Sequence, residues 1–176
     1  MYRTLTWACL QRGVDCHDAA AVVRVLHESK SEFQHHDGHI VMTIDGLEPG
    51  EEIRGAAINQ NVSLVAKIPA VRAWMVARQR ELLRFGSLVM EGRDIGSVVF
   101  ADTPFKIYVD ASPEARAERR KRDGYTDEVS KRDQIDSTRA VSPLVVPVGA
   151  FTVDTSTNTP QQTAEAVLAE LKRRGL

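Results

Sequence analysis

Glu91-Gly92-Arg93-Asp94-Ile95-Gly96 follows a short apolar run, Leu88-Val89-Met90. An apolar run that stops abruptly in charge and glycine reads as a buried strand of a parallel sheet at its carboxyl end. Open α/β sheets bind their ligands just past such ends. Arg93 offers a planar fork for a phosphate, and Asp94 offers two acceptors. Gly92 and Gly96 permit a sharp turn or a close approach of backbone to ligand. An ordinary turn with Arg93 and Asp94 paired in solvent would use the same residues.

A second group lies further on. Arg132, Asp136 and Arg139 stand at i, i+4 and i+7, on one face of a helix. They follow an arginine-rich segment with Arg116, Arg119, Arg120 and Arg122, and precede Ala140-Val-Ser-Pro-Leu144. A solvated ladder of salt bridges would look similar, but that apolar continuation is a poor match for a purely exposed face. Arg3, Arg54 and Arg72 add cationic positions earlier in the chain. Gly-x-x-x-x-Gly-Lys-Ser/Thr, Gly-x-Gly-x-x-Gly and a nucleophile-elbow pattern do not occur. The residues alone point to an α/β domain that binds a phosphorylated or otherwise anionic small molecule.

The elements that must position these residues follow from periodicity and punctuation. Residues 2–12 read as a helix with Leu5, Ala8 and Cys9 on its apolar side and Gly13 just past its end; no capping residue precedes it. Asp18 caps a helix over 19–27. Asp37-Gly38 sits between two extended runs within 33–44 and signals a hairpin. His35, His36 and His39 crowd its tip, where solvated imidazoles are expected rather than a metal site. Helices are expected near 53–67 and 69–84, the second with Pro69 at its first position and Val71, Met75, Ala77, Leu82 and Leu83 in contact. Gly86 ends it. Strands at 88–91, 105–110 and 151–155 alternate with helices from Ser112-Pro113, over 127–139 and from Thr159-Pro160. The last turns Ala164, Val167, Leu168 and Leu171 inward. This alternation implies a parallel α/β sheet.

The bulk numbers narrow the class. The chain has 176 residues, 43% hydrophobic and 27% charged, with a formal net charge of -1. That suits one globular domain and argues against a large nucleic-acid footprint. Cys9 and Cys16 form neither a disulfide framework nor a metal-ligand pattern, so a reducing, cytoplasmic setting is expected. No membrane-length apolar run or signal peptide is present in the sequence.

Several stretches together resemble bacterial cytidylate kinase, a family of the nucleoside monophosphate kinase fold. They are Met1-Tyr-Arg-Thr-Leu; Glu52-Ile-Arg-Gly with Asn61-Val-Ser-Leu-Val-Ala and Pro69-Ala-Val-Arg; Glu91-Gly-Arg-Asp-Ile-Gly-Ser-Val-Val-Phe; and Lys131-Arg-Asp-Gln-Ile-Asp-Ser-Thr-Arg-Ala-Val-Ser-Pro-Leu. The resemblance implies a P-loop nucleoside monophosphate kinase-like parallel sheet with flanking helices. It implies a single kinase domain over 1–176, with residues 14–70 as the monophosphate-binding region carrying a small hairpin insert and 114–139 as the lid.

The implied activity is ATP-dependent phosphorylation of CMP and dCMP, with ATP as donor and Mg²⁺ as cofactor. Ser63, Arg72 and Asp94 match residues that read the cytosine, and Arg3 and Arg93 match those that hold the monophosphate. Arg132, Asp136 and Arg139 match the trio on the ribose and phosphate side, with Arg132 closest to the transferring group. Arg93, Arg132 and Arg139 are the implied catalytic residues. Arg116 and Arg120 fall where the lid over ATP begins. No protein metal ligand is assigned, and a monomer without nucleic-acid or membrane partners is expected.

The family pattern opens with a strand, a phosphate loop ending Gly-Lys-Gly-Thr and a second strand ahead of the match to Met1, so the sequence is expected to be an amino-terminally truncated form. Residues 122–131 are also shorter than the family's usual lid. Two other readings remain: a non-catalytic CMP-binding fragment and a UMP/CMP kinase of the same fold.

Overall fold

The computed structural model describes residues 1–122 and 145–176. The chain divides into two compact units, Met1–Val89 and Met90–Leu176.

In the first unit, α1 (Tyr2–Gln11) buries Leu5, Ala8 and Cys9 along one stripe, as the i, i+3, i+4 spacing requires. Gly13 closes it at φ 66, in the left-handed region. Helix α2 (Ala19–Glu28) starts at Asp18, whose carboxylate accepts from the Ala21 N–H at 3.0 Å. Val22, Val25 and Leu26 form its buried face. Strands β1 (Ser31–His36) and β2 (His39–Ile44) pair antiparallel from Ser31↔Ile44 to His36↔His39. Asp37 (φ 48) and Gly38 (φ 78) both take the left-handed conformation that a two-residue type I′ turn needs.

Met42, Thr43 and Ile44 are buried at the hairpin's base, while the tip is exposed. Asp45 ties that base together. Its N–H donates to the Lys30 carbonyl (2.8 Å), and its carboxylate accepts from the Lys30 N–H (2.9 Å) and the Arg12 guanidinium (2.5 Å). The Lys30 amide, and then Arg12, hold the Asp45 carboxyl below its ordinary range.

The helix expected near 53–67 is two elements. A 3₁₀ turn over Glu51–Arg54 precedes α3 (Ala56–Ala66), and Gly55 between them is extended (φ -65, ψ 164). A Cβ on Gly55 would stand 3.1 Å from the Glu52 carbonyl oxygen, so the junction is tight. Helix α4 (Pro69–Glu81) has proline at its start and runs into a 3₁₀ turn, Leu82–Phe85, that Gly86 ends at φ 109. Its inward stripe is Val71, Arg72, Met75, Gln79 and Leu82; Ala77 and Leu83, expected inward, face solvent. Two polar side chains thus occupy places where an all-apolar stripe was expected.

The core of this unit gathers Leu5, Cys9, Val22, Val65, Val71 and Met75 from all four helices. Both cysteines are free and buried in it. Burial pushes the Cys9 thiol up to about 12 and raises that of Cys16.

Residues 88–91, which straddle the division between the units, are irregular rather than the strand expected there. A strand exists only with a hydrogen-bonded neighbour, and among the described residues this run forms no ladder. Strands β3 (Ile107–Asp110) and β4 (Phe151–Asp154) pair parallel, Ile107↔Phe151 through Asp110↔Asp154. Helix α5 (Pro113–Arg122) is capped by Ser112, whose Oγ accepts from the Ala115 N–H at 3.2 Å. Helix α6 (Pro160–Arg173) opens with a capping box. The Thr159 hydroxyl accepts from the Gln162 N–H (3.2 Å), and the Gln162 side-chain oxygen from the Thr159 N–H (2.9 Å).

The helix expected over 127–139 lies outside the described residues. Architecture among the described ones is α/β: helices with an antiparallel hairpin and a small parallel sheet. No helix among them is long and apolar enough to cross a membrane.

Helix α6 differs from expectation in its inward face. Ala164 and Leu168 are exposed, and Glu170 is buried. Glu170 accepts two hydrogen bonds from Arg173 (both 2.7 Å) and one from Arg174 (2.5 Å). Arg174 also donates to the carbonyls of Pro104 (2.6 Å) and Gly149 (2.9 Å). Those carbonyls lie just ahead of β3 and β4, so the carboxyl end of α6 fastens the amino ends of both strands.

Arg173 first, and then Arg174, draw the Glu170 carboxyl down to about 2 from the ordinary 4.5. A depressed folded-state value stabilises the fold fully above the unfolded value and loses that stabilisation as pH falls through the folded one. Replacing Glu170 by Gln should therefore lower stability most near neutrality. Urea unfolding should show the gap from the parent closing between about pH 4.5 and 2. A gap of constant size across that range would contradict this role for Glu170.

Candidate functional site

The first unit holds Ser63 and Arg72, both buried. Ser63 lies near the end of α3 and is buried; Arg72, in the first turn of α4, is 2% exposed. A guanidinium taken out of water costs several kcal/mol unless its donors find acceptors. The Arg72 Nη1 donates to the Ala66 carbonyl at 3.1 Å, and its charge sits 5.7 Å from the centroid of the Tyr2 ring. Ala66 follows Ser63 by three residues on the same helix face. The start of α1, the end of α3 and the start of α4 therefore converge around Arg72. Arg3 works beside them differently. Its Nη1 donates to the Ile53 carbonyl at 2.7 Å, which fastens α1 to the 3₁₀ turn ahead of α3.

The second unit holds Arg93 and Asp94. Asp94 is buried and Arg93 half-buried. Directly after them the chain makes a π-turn, Ile95–Val99. The Asp94 carbonyl accepts from the N–H groups of Val98 (2.9 Å) and Val99 (3.2 Å), and the Ile95 carbonyl from Phe100 (2.7 Å). Such turns are rare and recur at functional sites. The two glycines have steric reasons to be there. A Cβ on Gly92 would stand 2.8 Å from Cγ1 of Ile95, and one on Gly96 would stand 3.1 Å from Cγ of Pro147 and 3.3 Å from the Lys106 side chain. Neither residue has positive φ, and at both the space that a Cβ would need is taken by neighbouring side chains.

On α5, Arg116, Arg119 and Arg120 form a half-buried stripe, while Ala117, Glu118, Lys121 and Arg122 are exposed. Arg119, which the sequence left without a role, donates to Thr155 just beyond β4. Its Nη1 reaches the Thr155 hydroxyl at 3.0 Å, and its Nη2 bonds the Thr155 carbonyl. Arg132, Asp136 and Arg139 lie outside the described residues. Each unit thus holds its own share of the expected site: Arg3, Ser63 and Arg72 in the first, Arg93, Asp94, Arg116 and Arg120 in the second. Tyr2 and the Ala66 carbonyl are partners that sequence reasoning missed. Tyr2 lies inside the Met1-Tyr-Arg-Thr-Leu stretch but was given no role there, and a main-chain acceptor carries no motif. The π-turn likewise has no compositional marker.

Comparison with known proteins gives a consistent result. The family model for cytidylate kinase matches residues 1–173. A cytidylate kinase of Mycobacterium leprae is 45% identical over 168 residues, covering 89% of this chain and 74% of the relative. One from Limosilactobacillus fermentum is 40% identical, covering 98% of this chain and 81% of the relative. One from Anoxybacillus flavithermus is 38% identical, covering 99% and 82%.

The Arg72 geometry has a consequence for folding. Arg72→Met keeps the stem's volume but leaves the Ala66 carbonyl short of a donor. Urea unfolding should show a loss of about 1–3 kcal/mol, the cost of an unsatisfied buried acceptor. An unchanged midpoint and slope would mean that water replaces the guanidinium there.

Proposed function

The chain belongs to the cytidylate kinase family, and from that premise we propose a division of labour among its residues for ATP-dependent phosphoryl transfer to CMP and dCMP, giving CDP and dCDP. The family match over 1–173, with Gly92-Arg93-Asp94-Ile95-Gly96 inside it, carries the reading. ATP is the phosphate donor.

Ser63, Arg72 and Asp94 read the cytosine. A carboxylate accepts from the exocyclic amino group, and a guanidinium donates to the ring acceptors. Uracil presents an acceptor where Asp94 needs a donor, so the same set rejects it. The burial of all three supports this, because hydrogen bonds discriminate best where a mismatch leaves a polar group unpaired out of water.

Arg3 and Arg93 hold the monophosphate. Arg132, Asp136 and Arg139 act on the ribose and phosphate side, and Arg132 neutralises charge on the group in flight. Arg93 and Arg139 assist it. Arg116 and Arg120 approach the ATP phosphates from the lid. Phosphoryl transfer needs alignment, positive charge and exclusion of water more than covalent help, which suits a site built of arginines.

Among the described residues no three His, Cys, Asp or Glu side chains are grouped to hold a metal ion. Mg²⁺ is read as arriving on the ATP phosphates, since it commonly keeps waters and few protein ligands. The finer fold assignment belongs to the same proposal: a nucleoside monophosphate kinase sheet, with β1–β2 as the insert of the monophosphate-binding region. A cytoplasmic monomer acting on free nucleotides completes it.

Asp94→Ala should cost CMP binding on the order of ten- to a few hundred-fold and narrow the preference for CMP over UMP. Calorimetric titration with both nucleotides checks this; unchanged selectivity would remove Asp94 from the base-reading set. Arg132→Ala should lower kcat far more than it raises KM for CMP, because its charge counts most in the transition state. Steady-state kinetics in a coupled ADP-release assay would read it, and an unaltered kcat would take Arg132 off the catalytic list.

A further inference from the structure

Helix α5 poses a problem of orientation. Its ten residues, Pro113-Glu-Ala-Arg-Ala-Glu-Arg-Arg-Lys-Arg122, contain no large apolar side chain, and none of the ten is buried. Packing of an apolar stripe, the usual device that sets a helix's rotation about its own axis, is therefore missing from α5.

The contact between Arg119 and Thr155 fills that place. Arg119 grips one residue by two atoms, the hydroxyl and the carbonyl of Thr155. Thr155 is itself 5% exposed and fixed, since both its N–H and its hydroxyl donate to the Asp110 carbonyl at 2.8 Å. The chain of bonds runs from α5 through the residue after β4 to the last residue of β3. A bidentate fork resists rotation as well as translation. At about 100° per residue, Arg116 and Arg120 stand about 60° and 100° around the helix from Arg119, on the same side. Fixing Arg119 fixes the direction of both.

We propose that Arg119 is a positioning residue for phosphoryl transfer: anchored on Thr155, it sets the rotation of α5 and so aims Arg116 and Arg120 at the ATP phosphates. This rests on the reading of Arg116 and Arg120 given above. It assigns Arg119 no contact with substrate.

Calorimetric titration of the full chain with the non-hydrolysable analogue AMP-PNP, and separately with CMP, tests it. Arg119→Ala should weaken AMP-PNP about tenfold, the scale of one charge-assisted hydrogen bond, and leave CMP within about twofold. Arg119→Lys, which keeps the charge but not the fork, should lose about threefold. Arg116→Ala/Arg119→Ala/Arg120→Ala should bind AMP-PNP no more weakly than Arg116→Ala/Arg120→Ala, because Arg119 acts only through those two side chains.

Parallel loss of both nucleotides in Arg119→Ala, or a further loss when Arg119→Ala is added to Arg116→Ala/Arg120→Ala, would overturn the proposal. Should Arg119→Ala fail to fold, Thr155→Val removes the hydroxyl arm, together with the hydroxyl's bond to the Asp110 carbonyl, at nearly constant volume and leaves the main-chain bonds in place. It should weaken AMP-PNP selectively, and an unchanged affinity there would sink the idea. The two layers separate cleanly. If Arg116→Ala and Arg120→Ala leave AMP-PNP binding intact, or the parent chain binds none, the ATP-side reading fails and takes this proposal with it. If they weaken it while Arg119→Ala and Thr155→Val do not, the positioning role alone fails.

Discussion

A guanidinium that leaves water must find oxygen, and in this protein the main chain supplies it. Arg3 bonds the Ile53 carbonyl, Arg72 that of Ala66, Arg119 that of Thr155, and Arg174 those of Pro104 and Gly149. Each of these carbonyls lies at or beside the end of a helix, turn or strand, where the regular ladder leaves acceptors over. A chain rich in arginine can therefore bring cations toward an anionic ligand without stranding them. The same contacts hold separate elements together. Placement of charge and cohesion of the fold are one arrangement here, and the apolar core of the first unit alone would not supply it.

The two units solve cohesion differently. In the first, Leu5, Val22, Val71 and Met75 meet from three helices, and apolar burial at about 25 cal/mol per Å² is the main force. In the second, Val109 and Leu168 stay largely exposed. Its parallel strand pair is instead clamped at both ends, by Glu170 and Arg174 ahead of the strands and by Arg119 and Thr155 after them. Parallel pairing is slightly weaker per residue than antiparallel, so two strands need such end clamps more than a large sheet would.

Local chemistry was the legible part of the sequence. Asp18 and Thr159 as caps, Asp37-Gly38 as a I′ turn, Pro69 and Pro160 as helix starts and Gly13 and Gly86 as stops all act within a few residues, and side-chain type decides them. Family resemblance carried the activity further than periodicity could. The errors arose where distant partners decide. Leu88-Val89-Met90 had the composition of a strand but no ladder among the described residues. Ala77, Leu83, Ala164 and Leu168 had helical spacing, yet Arg72, Gln79 and Glu170 took inward places; Arg72 meets the Ala66 carbonyl of the preceding helix, and Glu170 meets the arginines that follow it. Arg3, Ser63 and Arg72 were singled out by family resemblance, whereas the Ile53 and Ala66 carbonyls that Arg3 and Arg72 bond carry no motif.

The two buried thiols give the first unit a property of a different kind. With its value pushed up to about 12 by burial, the Cys9 thiol stays protonated near neutral pH, and its sulfur is sealed from reagents as well. Oxidants and alkylating agents can reach it only when α1 lifts away from α2, α3 and β2. Its rate of modification is then a clock for those openings, read from the native protein with no label added.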